Sequence, residues 1–139
     1  MNDQIKIYIA APWAEKAYAK EVSKDFRAAG FDVVSRWIDF HEGTSSDGLQ
    51  LDPVKLQREA LNDIEDVMAA DILVLLNLQA RGTETSGKAV ETGMALAMGK
   101  DVVMVGGPTN VFHFLDTVRK VDSIEDAIEA CRVVVREEE

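Results

Sequence analysis

Asp71-Ile72-Leu73-Val74-Leu75-Leu76-Asn77 is the stretch on which the fold turns. Five apolar residues run without polar alternation between two polar ends. That pattern describes a strand buried on both faces, as in the middle of a parallel sheet. Upstream, Asp52 caps and Pro53 opens a helix that runs to about Ala70. Downstream, a polar loop over Gln79 to Ser86 leads into a helix stopped by Gly99. Asp101 to Val105 is a further strand, and Val118 to Val121 reads as a short fifth. Ser123 caps a last helix, with Asp126 completing an acidic capping box. At the start, Ile5 to Ala10 is a strand, Ala14 to Ala29 a helix with Ala17, Val22, Phe26 and Ala29 on one side, and Phe31 to Trp37 a second strand. His41 to Asp52 is a loop. The alternation predicts one α/β domain over residues 1–139. Its expected form is a flavodoxin-like or Rossmann-like parallel sheet of about five strands, with helices on both faces and right-handed crossovers.

The 139 residues carry 15 basic and 25 acidic side chains, a net charge of −10, so a nucleic-acid polymer or an anionic membrane is a poor partner. No apolar run reaches membrane-spanning length and the first residues lack a signal pattern, which makes the cytoplasm the expected compartment. Cys131 is the only cysteine, which excludes a disulfide within the chain and a cysteine metal site; its apolar helical setting predicts a buried thiol.

In such a sheet, ligands bind at the carboxyl ends of the strands. A dinucleotide glycine loop is absent, because the first strand ends in Ala10-Ala11-Pro12-Trp13. A phosphate loop fails as well: Gly82 and Gly87-Lys88 have the spacing, but Ala89 replaces the metal-binding hydroxyl. A receiver domain would need acidic residues where Ala11-Pro12 and Asn77 stand. The informative residue is Glu91, within a helix of small and apolar residues. A carboxylate there is costly unless it is paired, hydrogen-bonded or protonated, so it has a structural partner or a chemical task. Tyr8 is the only polar side chain in the first strand and needs a partner for its hydroxyl if buried; Glu91 would serve. Asp63 lies at the margin of the stripe Leu56, Ala60, Ile64, Val67 and Met68, with Glu65 and Asp66 on the more exposed side. Trp13 and Trp37 close strand ends, where an aromatic packs or stacks on a nucleobase. Thr85, Ser86 and the following helix N-terminus can hold polar groups of a ligand. His41 and His113 lack metal-ligand spacing and read as surface or loop histidines.

The order of three elements resembles the nucleoside 2-deoxyribosyltransferase family, including relatives that hydrolyse deoxynucleoside monophosphates. They are Ile7-Tyr8-Ile9-Ala10-Ala11-Pro12-Trp13, then Asn62-Asp63-Ile64 ahead of Ala70-Asp71-Ile72, then Gly87 with Glu91-Thr92-Gly93-Met94-Ala95 and Gly99-Lys100. The resemblance spans roughly Ile5 to Ala130. It implies Glu91 as nucleophile toward C1′ of a deoxyribose, Asp63 at the leaving base and Tyr8 orienting Glu91. Trp13, Trp37, Thr85, Ser86, Gly87 and Asn110 would line the substrate, with Asn110 near a neighbouring subunit's site in a homo-oligomer of two or more chains. The implied ligand is a small nucleoside or nucleotide, in nucleotide salvage, with no metal or organic cofactor. Two features point apart on substrate. Thr85 stands where some transferases have Asp and the monophosphate hydrolases Ser. Pro12-Trp13-Ala14 stands where those hydrolases have Ser-x-Arg. The transferases' aromatic C-terminus is also missing. An NAD-type glycohydrolase and a catalytically silent nucleotide-binding module are the competing readings.

Overall fold

The apolar run at the centre of the chain forms strand β3, Ile72–Leu76, buried along its whole length. In the computed structural model, which describes residues 4–39, 52–78 and 86–138, β3 lies between β1 (Lys6–Ala10) and β4 (Asp101–Val105). β2 (Asp32–Val33) and β5 (Val118–Val121) complete an all-parallel sheet of order β2-β1-β3-β4-β5. This is the flavodoxin-like order, whose direction reverses between β1 and β3. The described helices are α1 (Lys16–Ala28), α2 (Pro53–Ala69), α3 (Ser86–Ala97) and α4 (Ile124–Glu138). None of them is long and apolar enough to cross a membrane.

Strand residues alternate between two cores. Ile7, Ile9, Val74, Leu76 and Val103 pack with Phe26, Cys131 and Val134 on the α1/α4 side. Tyr8, Ala10, Leu73, Leu75 and Met104 pack with Val67 and Ala95 on the α2/α3 side. Tyr8 stands in register with Leu73, so it faces α2 and α3 from the middle of the sheet.

The helix boundaries follow local chemistry. Asp52 accepts a hydrogen bond from the Val54 amide at 3.0 Å, with Pro53 in the first turn. Gly99 takes φ +74° after α3, where the Lys100 amide bonds back to the Ala95 carbonyl at 2.9 Å. Ser123 accepts from the Asp126 amide at 3.0 Å at the start of α4.

Several expectations are corrected. The second strand is two residues long rather than seven. Val34 still donates to the Ile7 carbonyl, but the Ser35 hydroxyl then accepts from the Ile9 amide, a side chain taking the place of a backbone partner, and Arg36–Ile38 turn as a 3-10 helix. On α1, Ala19 rather than Ala17 joins the core. On α2, Asp66 and Val67 are buried, while Leu61, Ile64 and Met68 are exposed. Periodicity put Asp66 on the outer side; Arg36 compensates its charge and allows it inside. His113 is buried within the 3-10 turn Val111–Phe114 rather than lying at the surface.

Candidate active site

Tyr8, Asp63 and Glu91 come from three separate elements and meet over the α2/α3 face of the sheet. The Tyr8 hydroxyl donates to Glu91 Oε2 at 2.5 Å across 83 residues of sequence. Glu91 and Asp63 are hydrogen-bonded to each other. Burial raises the Glu91 carboxyl to about 8; the Tyr8 hydrogen bond pulls it down, while the charge and hydrogen bond of Asp63 push it up. Burial likewise raises Asp63 to about 6; the Glu91 hydrogen bond opposes this, Asp66 and Glu59 add to it, and Arg36 opposes it. Burial, followed by the charges of Glu91 and Asp63, lifts the Tyr8 phenol far above its ordinary range. Tyr8 is therefore a permanent donor. The two carboxyls act as one unit that holds a single proton near neutrality.

The seating of α3 against α2 fixes that contact. Lys100, just past the Gly99 turn, donates to the Met68 carbonyl at 2.8 Å and the Ala70 carbonyl at 2.5 Å. It caps α2 from the end of α3. The Gly99-Lys100 pair thus has a physical reason: it ties the helix bearing Glu91 to the helix bearing Asp63.

Toward the rim, Lys88 lies one turn before Glu91 on α3 and donates to Asn77 Oδ1 at 3.0 Å. Asn77 Nδ2 in turn donates to the Gly107 carbonyl at 2.6 Å and to Thr109 Oγ1 at 3.3 Å. Gly106 has φ +120°, and a Cβ there would come within 2.4 Å of the Asn77 carbonyl oxygen. Only glycine admits this approach of the β3 and β4 ends.

On the β1 side, Trp37 Nε1 donates to the Ile9 carbonyl at 2.7 Å, and Trp37 packs beside the cluster containing Tyr8. Trp13 and Trp37 have ring centroids 6.2 Å apart, with the Lys16 ammonium 4.2 Å from the Trp13 centroid. Asn110 is exposed; its Oδ1 accepts from the Phe112 amide at 2.9 Å and its Nδ2 lies 3.4 Å from His113 Nε2. Burial first, then Lys88 and Lys120, lower the His113 pKa, which keeps the ring neutral. Gly87 is exposed in the first turn of α3, where Ser86 begins the helix. Thr85 and His41 lie outside the described residues.

The structure therefore joins Tyr8, Asp63 and Glu91, pairs Trp13 with Trp37 nearby, and gives Asn110 partners only within its own turn among the described residues. Sequence reading missed the Arg36–Asp66 pair and the Lys88–Asn77 contact. For Asp66 the available signal was its place three residues after Asp63 on one helix.

Two half-buried carboxyls and a buried phenol meet on one face of a flavodoxin-like sheet, an arrangement suited to glycosidic bond chemistry. The nucleoside 2-deoxyribosyltransferase family matches residues 7–133, and the chain belongs to that family. It is an enzyme of the nucleoside 2-deoxyribosyltransferase kind. The fold is similar to that of a conserved protein from Enterococcus faecalis, with TM-score 0.64 and 23% identity over 94% of this chain and 99% of the other. It is also similar to a 2-deoxyribosyltransferase from Bacillus psychrosaccharolyticus, with TM-score 0.61, 21% identity, and coverage of 88% and 90%. The third is a CMP N-glycosidase from Clostridium botulinum, with TM-score 0.56, 16% identity, and coverage of 92% and 98%. No curated protein gives a significant match.

Proposed function

We propose that the protein cleaves the N-glycosidic bond of 2′-deoxynucleosides through a covalent deoxyribosyl ester on Glu91. The observation that carries this reading is the 2.5 Å hydrogen bond from buried Tyr8 to Glu91, with Asp63 bonded to the same carboxyl. The pair holds one proton, and the reaction needs one. The shared proton passes from Glu91 to Asp63; the Glu91 carboxylate oxygen then forms the C–O bond to C1′ as the C1′–N bond breaks. Asp63 gives the proton to the departing base nitrogen. A second base, or water, then attacks C1′, gives its proton to the Asp63 carboxylate and releases Glu91, as in retaining glycosidases. The missing 2′-hydroxyl eases positive charge at C1′. Tyr8 steadies the attacking carboxylate, and the Trp13–Trp37 pair offers an aromatic surface to a base. The roles of Thr85, Ser86 and Gly87 would be contacts at the α3 N-terminus.

The test is incubation with a deoxynucleoside and a second free base, read by chromatography, with mass spectrometry for a sugar on Glu91. Glu91→Gln should abolish both product and adduct. Turnover surviving in that variant would sink the assignment.

A second substrate, the deoxynucleoside 5′-monophosphate, is favoured by one observation. The Lys88 ammonium stands at the rim one turn from Glu91, held by Asn77. A cation suits an anionic substituent better than a positively charged sugar. Comparing kcat/KM for nucleoside and monophosphate decides between them.

A homo-oligomer belongs to this reading. Leu61, Ile64 and Met68 on α2, Val90 on α3, Met98 just after it, and Val111, Phe112 and Phe114 beside Asn110 are exposed apolar side chains that a second copy would cover. Asn110 would then approach the neighbour's site. A fully active monomer in sedimentation would remove this part. A cytoplasmic role in nucleotide salvage fits the proposed substrates.

A further inference from the structure

Asp66 is nearly buried, 6% exposed, yet it is charged and three residues from Asp63 on α2. Its only cationic partner in the described residues is Arg36, on the turn that follows β2. The contact is unusually complete. The Arg36 backbone amide donates to Asp66 Oδ2 at 2.9 Å, Nε donates to Oδ1 at 2.9 Å and Oδ2 at 3.1 Å, and Nη2 lies 2.9 Å from Oδ1. Nη2 also reaches the Asn62 carbonyl at 3.5 Å and Glu65 Oε1 at 3.4 Å. An exposed ion pair contributes little. Here one partner is buried and a main-chain amide takes part, so the pair fixes backbone as well as charge.

Two functional groups hang on it. Trp37 follows Arg36 directly, and Asp63 precedes Asp66 by one turn. We propose that Arg36 and Asp66 are positioning residues for the reaction: as a neutral unit they lock the Trp37 turn onto α2 and hold the charge surroundings in which Asp63 gains and loses its proton. This rests on the reading of Asp63 as the acid. The groups facing Asp63 are Glu91 from α3, Tyr8 from β1, Asp66 and Glu59 from α2, and Arg36 from the β2 side. The last pair act in opposite directions on Asp63, Asp66 raising its pKa and Arg36 lowering it. Intact, each opposes the other.

The consequence separates this device from a plain structural clamp. Asp66→Asn leaves Arg36 with only the exposed Glu65 as counter-charge and should lower the Asp63 pKa. Arg36→Gln leaves Asp66 uncompensated and should raise it. Removing a unit charge close to a carboxyl predicts movements of roughly 0.5 to 2 pH units. Arg36→Lys keeps the charge and should leave the titration near wild type, while losing the fork that holds the Trp37 turn and so raising KM more than it lowers kcat.

The experiment is carbon-13 NMR titration of the Asp63 carboxyl in wild type and the three variants, beside their pH profiles of kcat/KM. Opposite movements in Asp66→Asn and Arg36→Gln, matched by the profiles, support the proposal. Movement in the same direction, or of less than about 0.2 units in both, overturns it. If Arg36→Gln does not fold, a lowered Asp63 titration in Asp66→Asn with no movement in Arg36→Lys supports the proposal, and no lowering in Asp66→Asn overturns it. The NMR titration does not depend on turnover. If the carboxyl moves as expected but wild type cleaves no deoxynucleoside, the acid role fails and the electrostatic coupling stands.

Discussion

Replacing Glu91 by Gln should make the protein more stable as the pH rises, even as it abolishes the proposed chemistry. In the structure Glu91 accepts from Tyr8 and bonds to Asp63, and its pKa sits near 8 against an ordinary 4.5. A glutamine reproduces the protonated form: Oε1 accepts from Tyr8 and Nε2 donates to Asp63. A carboxyl whose folded pKa is raised contributes fully below its unfolded pKa. That contribution is lost as pH climbs through the folded value. At pH 4 wild type and variant should therefore be nearly equal. By pH 7 the wild type should have given up about 3 kcal/mol relative to the variant, and by pH 9 somewhat more. For a chain of this length that is a Tm gap of roughly 5–10 °C. The assay is thermal unfolding of both proteins from pH 4 to pH 9. A gap that stays constant with pH, or that widens toward acid, would refute the claim that Glu91 is held in a raised, proton-sharing state.

Tyr8→Phe removes a donor that favours the Glu91 carboxylate, so Glu91 should hold its proton to higher pH. The limb near 8 should move upward and kcat should fall by about 10- to 100-fold, read from pH–rate profiles. Asp63→Asn should slow release of poorly leaving bases by about 100-fold or more, but far less for an activated leaving group; equal losses on both would argue against an acid role. The wild-type kcat/KM should be bell-shaped with limbs near 6 and 8, where the pair holds one proton. Gly106→Ala would put a Cβ 2.4 Å from the Asn77 carbonyl oxygen at φ +120°, and denaturant melts should record a loss of about 2 kcal/mol or more.

The legibility of this chain differed by element. β3 was readable because burial on both faces leaves only apolar residues in the sequence, and β4 and the caps of α2 and α4 are set within a few residues of themselves. β2 was not, because its end depends on Ser35 bonding the Ile9 amide and on Arg36 meeting Asp66, both partners being distant in sequence. Helix periodicity failed for α2 for a related reason. It assumes that apolar residues choose the inner face, yet Asp66 goes inside with its arginine while Leu61, Ile64 and Met68 remain outside.

For the site, residue order alone carried Tyr8, Asp63 and Glu91, since each is a polar group where an apolar one is expected and their spacing matches the family. Their meeting was decided by the fold. The parity of β1 points Tyr8 to the α2/α3 side, and Lys100 ties the end of α3 to the end of α2. The proton balance of the carboxyls, and the part Arg36 and Asp66 play in it, arise only there. A pKa depends on distances and burial among groups tens of residues apart, and a linear sequence specifies the groups without those distances.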